Sequence, residues 1–366
     1  MKKKLLLAVA MIFALSLTLA ACGGGDGDAA QSGGDDTTAA TEEESDGDAA
    51  AVAATPEVTL VLTQHDPDAS LPGQYCFAWA DLVKERSNGR IEVQVNNGGS
   101  IAKPTESLGM VKEGTVDLAW GLQSFYAGEF PMTDGLSMPY LPFSNAEQAS
   151  RTIMDIYENT DLLADEYADY KVILLRANCD APIITTNKKL NTAGDLSGVT
   201  LRATAAPIVS WLAAFGANAQ GVPINELYSV LQNGAMQGAI TDWHGVDSFK
   251  IYEVAKEYAD EKVQYNTYYF LMNKAKYDSL PADLKAIIDE CSGQTAMDLM
   301  ADAWDNLTDS TKDLVLDNGG EIYTLPDAEH QKLVDAANTV LEQWISDNGD
   351  NAQQIYDKVV ELAPKY

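Results

Sequence analysis

Short apolar runs alternate with segments of helical spacing along the chain after residue 57. The first helical pattern ends at Asn88-Gly89, and glycine commonly follows the last residue of a helix. Strands that alternate with helices in this way are typical of parallel α/β units. The predicted elements of this part are a strand at 58–62, a helix at 74–87, a strand at 91–95, a helix at 105–113 and a strand at 116–120.

The rest of the chain continues the alternation and then becomes mostly helical. The part after residue 57 is long for a single hydrophobic core, so we expect two α/β lobes. The pattern predicts extended segments at 171–177 and 181–186, strands at 200–203, 238–241 and 265–272, helices at 207–215 and 225–233, and a helical C-terminal third that begins with 281–291.

The N-terminus predicts export from the cytoplasm. Three lysines at 2–4 precede an apolar, Ala-rich stretch at 5–21. This stretch is short for a transmembrane helix, which needs about 20 strongly apolar residues, but it suits a signal peptide at 1–21. The last residues, LAAC at 19–22, resemble a bacterial lipobox, which implies cleavage before Cys22 and a lipid on its thiol. A signal peptide with an incidental cysteine is the alternative.

A low-complexity acidic segment follows, and we predict that 22–57 is a disordered tether that begins with the lipidated cysteine. It consists mainly of Gly, Asp, Glu, Ala, Ser and Thr, without aromatic or basic residues, and cannot bury enough apolar area to fold. The whole chain has a net charge of −31, and loss of the three signal-peptide lysines would make it −34. Such a charge argues against nucleic acid as a partner and against electrostatic membrane binding, so the anchor would be covalent.

Cysteine and histidine spacing gives no metal or redox motif. After Cys22 the chain has Cys76, Cys179 and Cys291, for which we expect buried, unpaired thiols, with one disulfide as the alternative. The three histidines, at 65, 244 and 330, are widely separated. We expect neither a metal nor a cofactor.

Six segments between residues 58 and 318 carry the most specific patterns. They are 89–93 (GRIEV), 111–119 (VKEGTVDLA), 138–143 (MPYLPF), 195–202 (DLSGVTLR), 222–234 (VPINELYSVLQNG), and 272–274 (MNK) with 280–281 (LP). Each alone is weak, but in this order they resemble the solute-binding proteins of tripartite ATP-independent periplasmic (TRAP) transporters, the dicarboxylate-binding DctP-like family, here in lipoprotein form.

The resemblance implies an α/β, two-lobed clamshell like that of periplasmic binding proteins, with crossing strands and a long C-terminal helix across both lobes. It places lobe I at 58–178 plus about 267–305 and lobe II at 179–266 plus about 306–366. It also implies a monomer that captures a small organic acid in the cleft and delivers it to the small and large membrane permease subunits.

By the same resemblance, Arg202 matches the family arginine that grips the substrate carboxylate. A guanidinium is permanently charged and offers a planar pair of donors to a carboxylate. The end of a strand in an α/β lobe also directs side chains toward a crevice. A surface arginine paired with one of the many acids of this chain is the alternative.

Further candidate ligand contacts lie at predicted strand ends. Trp243 could pack against an apolar part of a ligand or lie in the core. Asp242 could accept a hydrogen bond from a hydroxyl or amine, and Thr241 could donate or accept one. The other candidates, each with a structural role as the alternative, are Gln123, Ser124, His65 with Asp66, Asn178, and Tyr269 or its neighbour Tyr268.

The nature of the substrate stays open. Pro182 stands where some sialic-acid-binding members carry a second arginine, so we do not expect sialic acid. One arginine indicates a monocarboxylate, and Pro182 with Trp243 indicates a partly apolar tail, although a four-carbon dicarboxylate remains an alternative. A binding lipoprotein of an ATP-driven importer or sensor is the second hypothesis. A secreted hydrolase is the third, since the chain has no G-x-S-x-G, H-E-x-x-H or Walker-type motif.

Overall fold

The computed structural model describes residues 55–366, which form two β-sheets surrounded by helices. The predicted signal peptide, Cys22 and nearly all of the predicted tether lie outside the described residues. Within residues 55–366, no helix has the length and apolar character required to cross a membrane.

Strands and helices alternate irregularly along residues 55–366. The strands are β1 (Val58–Thr63), β2 (Ile91–Asn96), β3 (Leu118–Leu122), β4 (Tyr170–Asp180), β5 (Ile183–Thr185), β6 (Thr200–Arg202), β7 (Asn218–Gln220), β8 (Gly238–Ile240), β9 (Glu257–Ala259), β10 (Tyr265–Asn273) and β11 (Glu321–Tyr323). The helices are α1 (Leu71–Arg86), α2 (Ser107–Glu113), α3 (Ala146–Asn159), α4 (Ala164–Tyr167), α5 (Ala206–Ala214), α6 (Ile224–Gln232), α7 (Trp243–Ser248), α8 (Ile251–Val254), α9 (Lys274–Ser279), α10 (Ala282–Glu290), α11 (Gly293–Asp298), α12 (Ala301–Asp317), α13 (Asp327–Asn348) and α14 (Asp350–Leu362).

The first sheet has the strand order β2-β1-β3-β10-β4. Strands β1, β2 and β3 are parallel, as predicted, but β10 runs antiparallel to both β3 and β4. The prediction of parallel units is therefore confirmed for β1, β2 and β3, whereas no direction was predicted for β10. Every residue of β10 is buried, which is expected of a strand that is covered on both faces.

The second sheet has the strand order β11-β9-β5-β8-β6-β7. Strands β6, β7 and β8 are parallel, whereas β5 runs antiparallel to β8 and β9. Each of its six strands has only three residues. Strands this short leave little alternating pattern, and β7, β9 and β11 were not predicted from the sequence.

The chain crosses between the two sheets twice in its central part. It passes from β4 to β5 between Asp180 and Ile183, and it returns from β9 to β10 between Ala259 and Tyr265. The two crossing segments are paired, because Ala181 N donates to Gln264 O (3.0 Å) and Val263 N donates to Ala181 O (2.9 Å). The crossing strands are confirmed, while the residue boundaries of the lobes stay a prediction.

The long helix α13 contacts elements of both sheets. It has 22 residues and is therefore about 33 Å long. In its first half, the backbone carbonyl of Leu333 accepts a hydrogen bond from Trp211 Nε1 of α5 (2.9 Å), next to the second sheet. Near its end, Trp344 Nε1 donates to Pro131 O (3.0 Å) in the segment after β3. The predicted C-terminal helix across both lobes is thus present.

Aromatic side chains fill the core of the first sheet. Trp79 of α1 packs edge-on against Phe270 of β10, with ring centroids 4.7 Å apart, and its Nε1 donates to the carbonyl of Cys291 (2.7 Å). Cys76, Cys179 and Cys291 are all buried free thiols, as expected of cysteines that act as small apolar residues.

Candidate functional site

A small closed cavity lies where the loops of the two sheets meet. A water-sized sphere can occupy only about 10 Å³ of it, which is close to the space of one water molecule. The first sheet contributes residues after β1, at and after the end of β3, and from β10. The second contributes the last residue of β6, the first residue of α6 and residues after β8. The lining residues are His65, Asp66, Leu122, Phe125, Asn266 and Tyr268 on the first side and Arg202, Ile224, Thr241, Asp242, His244, Gly245 and Phe249 on the second.

Arg202 is the last residue of β6 and only 3% exposed. Its Nε donates to the carbonyl of Val222 (3.0 Å) and its Nη1 makes a long contact of 3.5 Å to the carbonyl of Ile240. No carboxylate of residues 55–366 forms a salt bridge with it, although the side chain lines the cavity. Burial lowers the pKa of Arg202, because removal from water penalises the cation. An anion in the cavity would relieve this penalty.

Asp242 and His244 form a buried pair at the start of α7. Asp242 is the N-cap residue, and its Oδ1 accepts a hydrogen bond from Gly245 N (2.8 Å), which fixes the carboxylate. His244 Nδ1 lies 3.6 Å from the same oxygen. Burial raises the pKa of Asp242, but the interactions with His244, the backbone of Gly245 and Arg202 together lower it by more than burial raises it. The net shift of the pKa is therefore downward.

The imidazole of His244 lies between two carboxylates. Its Nε2 is 3.6 Å from Oδ1 of Asp66, and its Nδ1 is 3.1 Å from Nδ2 of Asn178. Burial lowers the pKa of His244, but its interactions with Asp242 and Asp66 raise it more, and the net shift is upward. The protonated form is therefore favoured, and it balances one of the two acidic charges around the cavity.

His65 and Asp66 directly follow β1. The Nε2 atom of His65 lies 3.7 Å from Oδ2 of Asp66. Burial lowers the pKa of His65, Asp66 raises it in part, and His244 and Arg202 lower it again, for a net downward shift. The neutral imidazole is thus favoured, which can donate one hydrogen bond and accept another.

Four predicted site residues line this cavity together: Arg202, Thr241, Asp242 and His65, with Asp66 beside the last. They come from β6, from the end of β8 and from the loop after β1. The side chains of strand ends therefore meet at the cleft, as the α/β pattern predicts. Their role in ligand binding stays a prediction.

Trp243, also predicted as a ligand contact, does not line the cavity. It is the first residue of α7, is fully buried, and stacks on Tyr258 with ring centroids 5.7 Å apart. Its Nε1 donates to Oδ2 of Asp180 (3.2 Å). The helix begins here, which turns the ring away from the cleft, and the structure favours the alternative of a core tryptophan.

Tyr269 packs on the other face of β10 from the cavity. Its hydroxyl lies 3.0 Å from Ser107 Oγ, and its ring presses against Gly121, where an added Cβ would lie 2.4 Å from the hydroxyl. The neighbouring Tyr268 lines the cavity instead, because successive side chains of a strand point to opposite faces.

Gln123, Ser124 and Asn178 lie near the cavity without lining it. Gln123 Nε2 donates to the hydroxyl of Tyr167 (3.2 Å), and Asn178 contacts His244 from behind. Ser124 Oγ donates to Thr204 Oγ1 (3.0 Å). Because Ser124 follows β3 and Thr204 follows β6, this bond joins the two sides of the cleft.

Four residues that line the cavity were not predicted as site residues from the sequence: His244, Asn266, Phe125 and Phe249. His244 stands two residues after Asp242, at the end of a predicted strand, and this position could have indicated that it belongs to the site. Asn266 is a polar residue within an aromatic strand, which is unusual enough to suggest a function. The two phenylalanines are in irregular segments or at helix ends, where periodicity gives no direction. In the described part of the chain, no group of three or more His, Cys, Asp or Glu side chains could hold a metal ion.

Known proteins with the same features are transporter binding proteins. The family model of DctP, the bacterial extracellular solute-binding proteins of family 7, matches residues 63–347. The 2,3-diketo-L-gulonate-binding periplasmic protein YiaO of Escherichia coli is 25% identical over 273 residues, which are 73% of this chain and 81% of that protein.

Two solved structures share the fold over nearly their whole length. A marine metagenome TRAP solute-binding protein specific for aromatic acid ligands, in complex with 3-hydroxybenzoate, matches with a TM-score of 0.79 and 27% identity, over 85% of this chain and 99% of that chain. A TRAP solute-binding protein from Rhodoferax ferrireducens, in complex with copurified benzoate, matches with a TM-score of 0.77 and 27% identity, over 84% of this chain and 98% of that chain. The chain has two sheets linked by crossing segments, a bridging helix and a family match over residues 63–347. It therefore belongs to the DctP family of TRAP transporter solute-binding proteins.

Proposed function

We propose that this protein binds the carboxylate of a small organic acid in the cavity between the two sheets, with Arg202 as the anchor, and carries out no chemistry on it. The observation that carries the proposal is the burial of Arg202 without a salt bridge to any carboxylate of the described residues, although Asp242 lines the same cavity. A buried guanidinium without a direct ion pair is costly, and a bidentate carboxylate supplies that pair and two hydrogen bonds at once.

The other walls of the cavity favour a ligand with a compact apolar or aromatic body. Leu122, Phe125, Ile224, Phe249 and Tyr268 supply apolar and aromatic surface, which a planar or branched hydrocarbon group would cover. Two relatives at 27% identity were solved with 3-hydroxybenzoate and benzoate, and this agrees with such a body. Asp66 and Asp242 would repel a second carboxylate, so we favour a monocarboxylate.

Ligand entry requires that the cleft opens. The present cavity has room for about one water, whereas a benzoate-sized molecule needs a volume many times larger. The paired crossing segments at Ala181 and Val263 supply a two-stranded hinge, and the Ser124–Thr204 bond is available to hold the closed form. A ligand that contacts both sides favours closure because it binds the closed form more tightly.

We also propose the cellular context that the N-terminal sequence predicts. A lipid on Cys22 and an acidic tether over 22–57 would hold the binding domain at the outer face of a membrane. There it would deliver the acid to the small and large permease subunits, and it would act as a monomer. Labelling of cells with a radioactive fatty acid, with Cys22→Ala as the control, tests the anchor: the label should enter the wild-type protein and not the variant.

The anchor residue is tested by thermal unfolding and calorimetric titration with a panel of organic acids. An acid at 100 times its Kd should stabilise the fold by about 2.7 kcal/mol. Arg202→Lys keeps the charge but loses the planar pair of donors, and we expect about 10- to 100-fold weaker binding, in line with the loss of one hydrogen bond to a charged group.

The matched control is Arg90→Lys, because Arg90 pairs on the surface with Glu57 and Asp283, away from the cavity. This variant should bind with wild-type affinity. Stabilisation by sugars or metals alone, or equal binding by the Arg202 variant and the wild type, would contradict the proposal.

A further inference from the structure

Asp66 has a rigidly held backbone and a buried carboxylate without hydrogen bonds. The side-chain amide of Gln64 accepts from Asp66 N (2.6 Å) and donates to Asp66 O (2.7 Å), and Gly98 N donates to the same carbonyl (2.8 Å). The residue is 1% exposed, and neither Oδ1 nor Oδ2 has a partner within residues 55–366. The protein thus holds the backbone of Asp66 in place in the cavity wall and leaves both carboxylate oxygens without hydrogen bonds.

The two imidazoles beside the Asp66 carboxylate do not form hydrogen bonds with it. Oδ1 is 3.6 Å from Nε2 of His244 and Oδ2 is 3.7 Å from Nε2 of His65, and both separations are too long for hydrogen bonds. Nε2 of His244 and Oδ1 of Asn266, on strand β10, are likewise buried without a partner. Buried polar atoms in native proteins nearly always have partners, so a cluster of free ones beside a cavity indicates an absent polar group.

The position of Asp66 is complementary to that of Arg202. Asp66 follows β1 of the first sheet and Arg202 ends β6 of the second, and both line the same cavity. A ligand held by its carboxylate on Arg202 would present its other groups toward the first sheet. Since an ionised carboxylate only accepts hydrogen bonds, the group that meets Asp66 must be a donor.

We propose that Asp66 accepts a hydrogen bond from a hydroxyl group of the ligand, so that this protein selects hydroxylated monocarboxylic acids over their unsubstituted parents. The proposal rests on the function proposed above and specifies its substrate class. A hydroxyl is favoured over an ammonium group because the groups that face Asp66 include the imidazole of His244, whose Nε2 lies 3.6 Å from Asp66 Oδ1. An ammonium group at Asp66 would therefore also lie close to this imidazole, whose protonated form is favoured.

The test compares matched acids that differ in one group. Phenylacetate, mandelate and phenylglycine carry hydrogen, hydroxyl and ammonium at the same carbon, and benzoate with 3-hydroxybenzoate places the hydroxyl on the ring instead. In calorimetric titrations of the wild-type protein, the better hydroxy acid should bind at least about tenfold more tightly than its parent, because a site built for a hydroxyl strongly rejects the analogue without it.

Variants of Asp66 connect this preference to the residue. In Asp66→Ala the ratio of the affinity for the hydroxy acid to the affinity for its parent should fall to about one to twofold. In Asp66→Asn, which keeps the shape of the side chain, this ratio should fall to an intermediate value. Asp68→Ala, an exposed acid in the same loop, should keep the wild-type ratio. Arg202→Lys should weaken both acids of a pair alike. Thermal unfolding of each variant verifies that it is folded.

Each outcome separates the two proposals. If no acid of the panel binds the wild type, the carboxylate function itself fails. If acids bind in an Arg202-dependent way but the parents bind as tightly as the hydroxy acids, or the Asp66 variants keep the wild-type ratio, only the role of Asp66 is overturned. Tightest binding of phenylglycine would replace hydroxyl by ammonium as the selected donor and would also contradict the proposal.

Discussion

At the scale of single residues, the site is a set of buried charges that are incompletely paired. Arg202 forms no salt bridge and the carboxylate of Asp66 accepts no hydrogen bond among the described residues, while Asp242 and His244 largely compensate each other. Each unpaired group costs folding free energy, and stable proteins retain such costs mainly where a ligand removes them. The unpaired groups of the cavity therefore indicate a ligand that has an anionic group at one end and a hydrogen-bond donor at the other.

Part of this site could be predicted from the sequence. Arg202, Thr241, Asp242 and His65 end strands or directly follow them, and strand ends meet at the cleft in this fold. The orientation of Trp243 could not be predicted, because Asp242 caps a helix that begins one residue later. Nothing in the local sequence pattern shows whether the strand is followed by a loop or directly by a helix.

A separate residue-scale prediction concerns Asp134, which lines a groove of about 680 Å³ beside α13. Burial raises the pKa of Asp134 to about 6, compared with about 3.9 in an unfolded chain. The folded state thus binds the proton more tightly, so stability is gained as the pH falls from about 6 to about 4 and is lost as the pH rises through the same range.

The variant Asp134→Asn should therefore be more stable than wild type at pH 8, by about 1–2 kcal/mol since the side chain keeps some solvent contact, and should show no such gain at pH 4. Thermal unfolding at both pH values measures this difference. Asp161→Asn, at an exposed acid, serves as the control and should change little at either pH. An equal effect of Asp134→Asn at pH 4 and pH 8 would rule out titration as its cause.

At the scale of elements, close packing of α13 against the rest of the protein requires glycine at position 135. The ring of Trp344 lies so near that a Cβ on Gly135 would be 2.2 Å from it, and the indole also donates to Pro131 O. This contact fixes the end of a helix whose first half packs near the second sheet. It is a long-range contact between positions 135 and 344, which no local pattern in the sequence reveals.

Gly135→Ala should destabilise the protein by about 1–3 kcal/mol, because overpacking forces the indole or the backbone to move. Gly109→Ala is a matched control, since Gly109 lies within α2 with open space around it. Alanine has the higher helix propensity, so this change should stabilise by about 0.5–1 kcal/mol. Denaturant unfolding of both variants measures the two effects, and a shift of the same sign in both would contradict the packing argument.

Strand β10 shows where element prediction succeeds and where it fails. The aromatic run predicts a strand at 265–272, and the structure has one at Tyr265–Asn273. Its partners and direction were not predictable, since pairing with β3 and β4 depends on residues about 90 to 150 positions away. The choice between Tyr268 and Tyr269 depends on register, and the pairing with β4 contains two irregularities. A shift of one residue exchanges the two faces of a strand.

At the scale of the whole molecule, two sheets joined by paired crossing segments and a bridging helix make a clamp around one small cavity. The closed cavity leaves no space for an organic acid, so binding and closure must be coupled. The two-lobed fold followed from the order of six sequence segments, which is a long-range property of the chain. The closed state and the pairing of individual charges required the three-dimensional structure.

A crystal structure of the protein with its tightest-binding hydroxy acid tests the central claim most directly. We expect the ligand between the two sheets, with both carboxylate oxygens within hydrogen-bond distance of the Arg202 guanidinium and its hydroxyl within about 3 Å of Asp66. A ligand in the groove beside α13, or one in the cleft whose carboxylate does not contact Arg202, would contradict it.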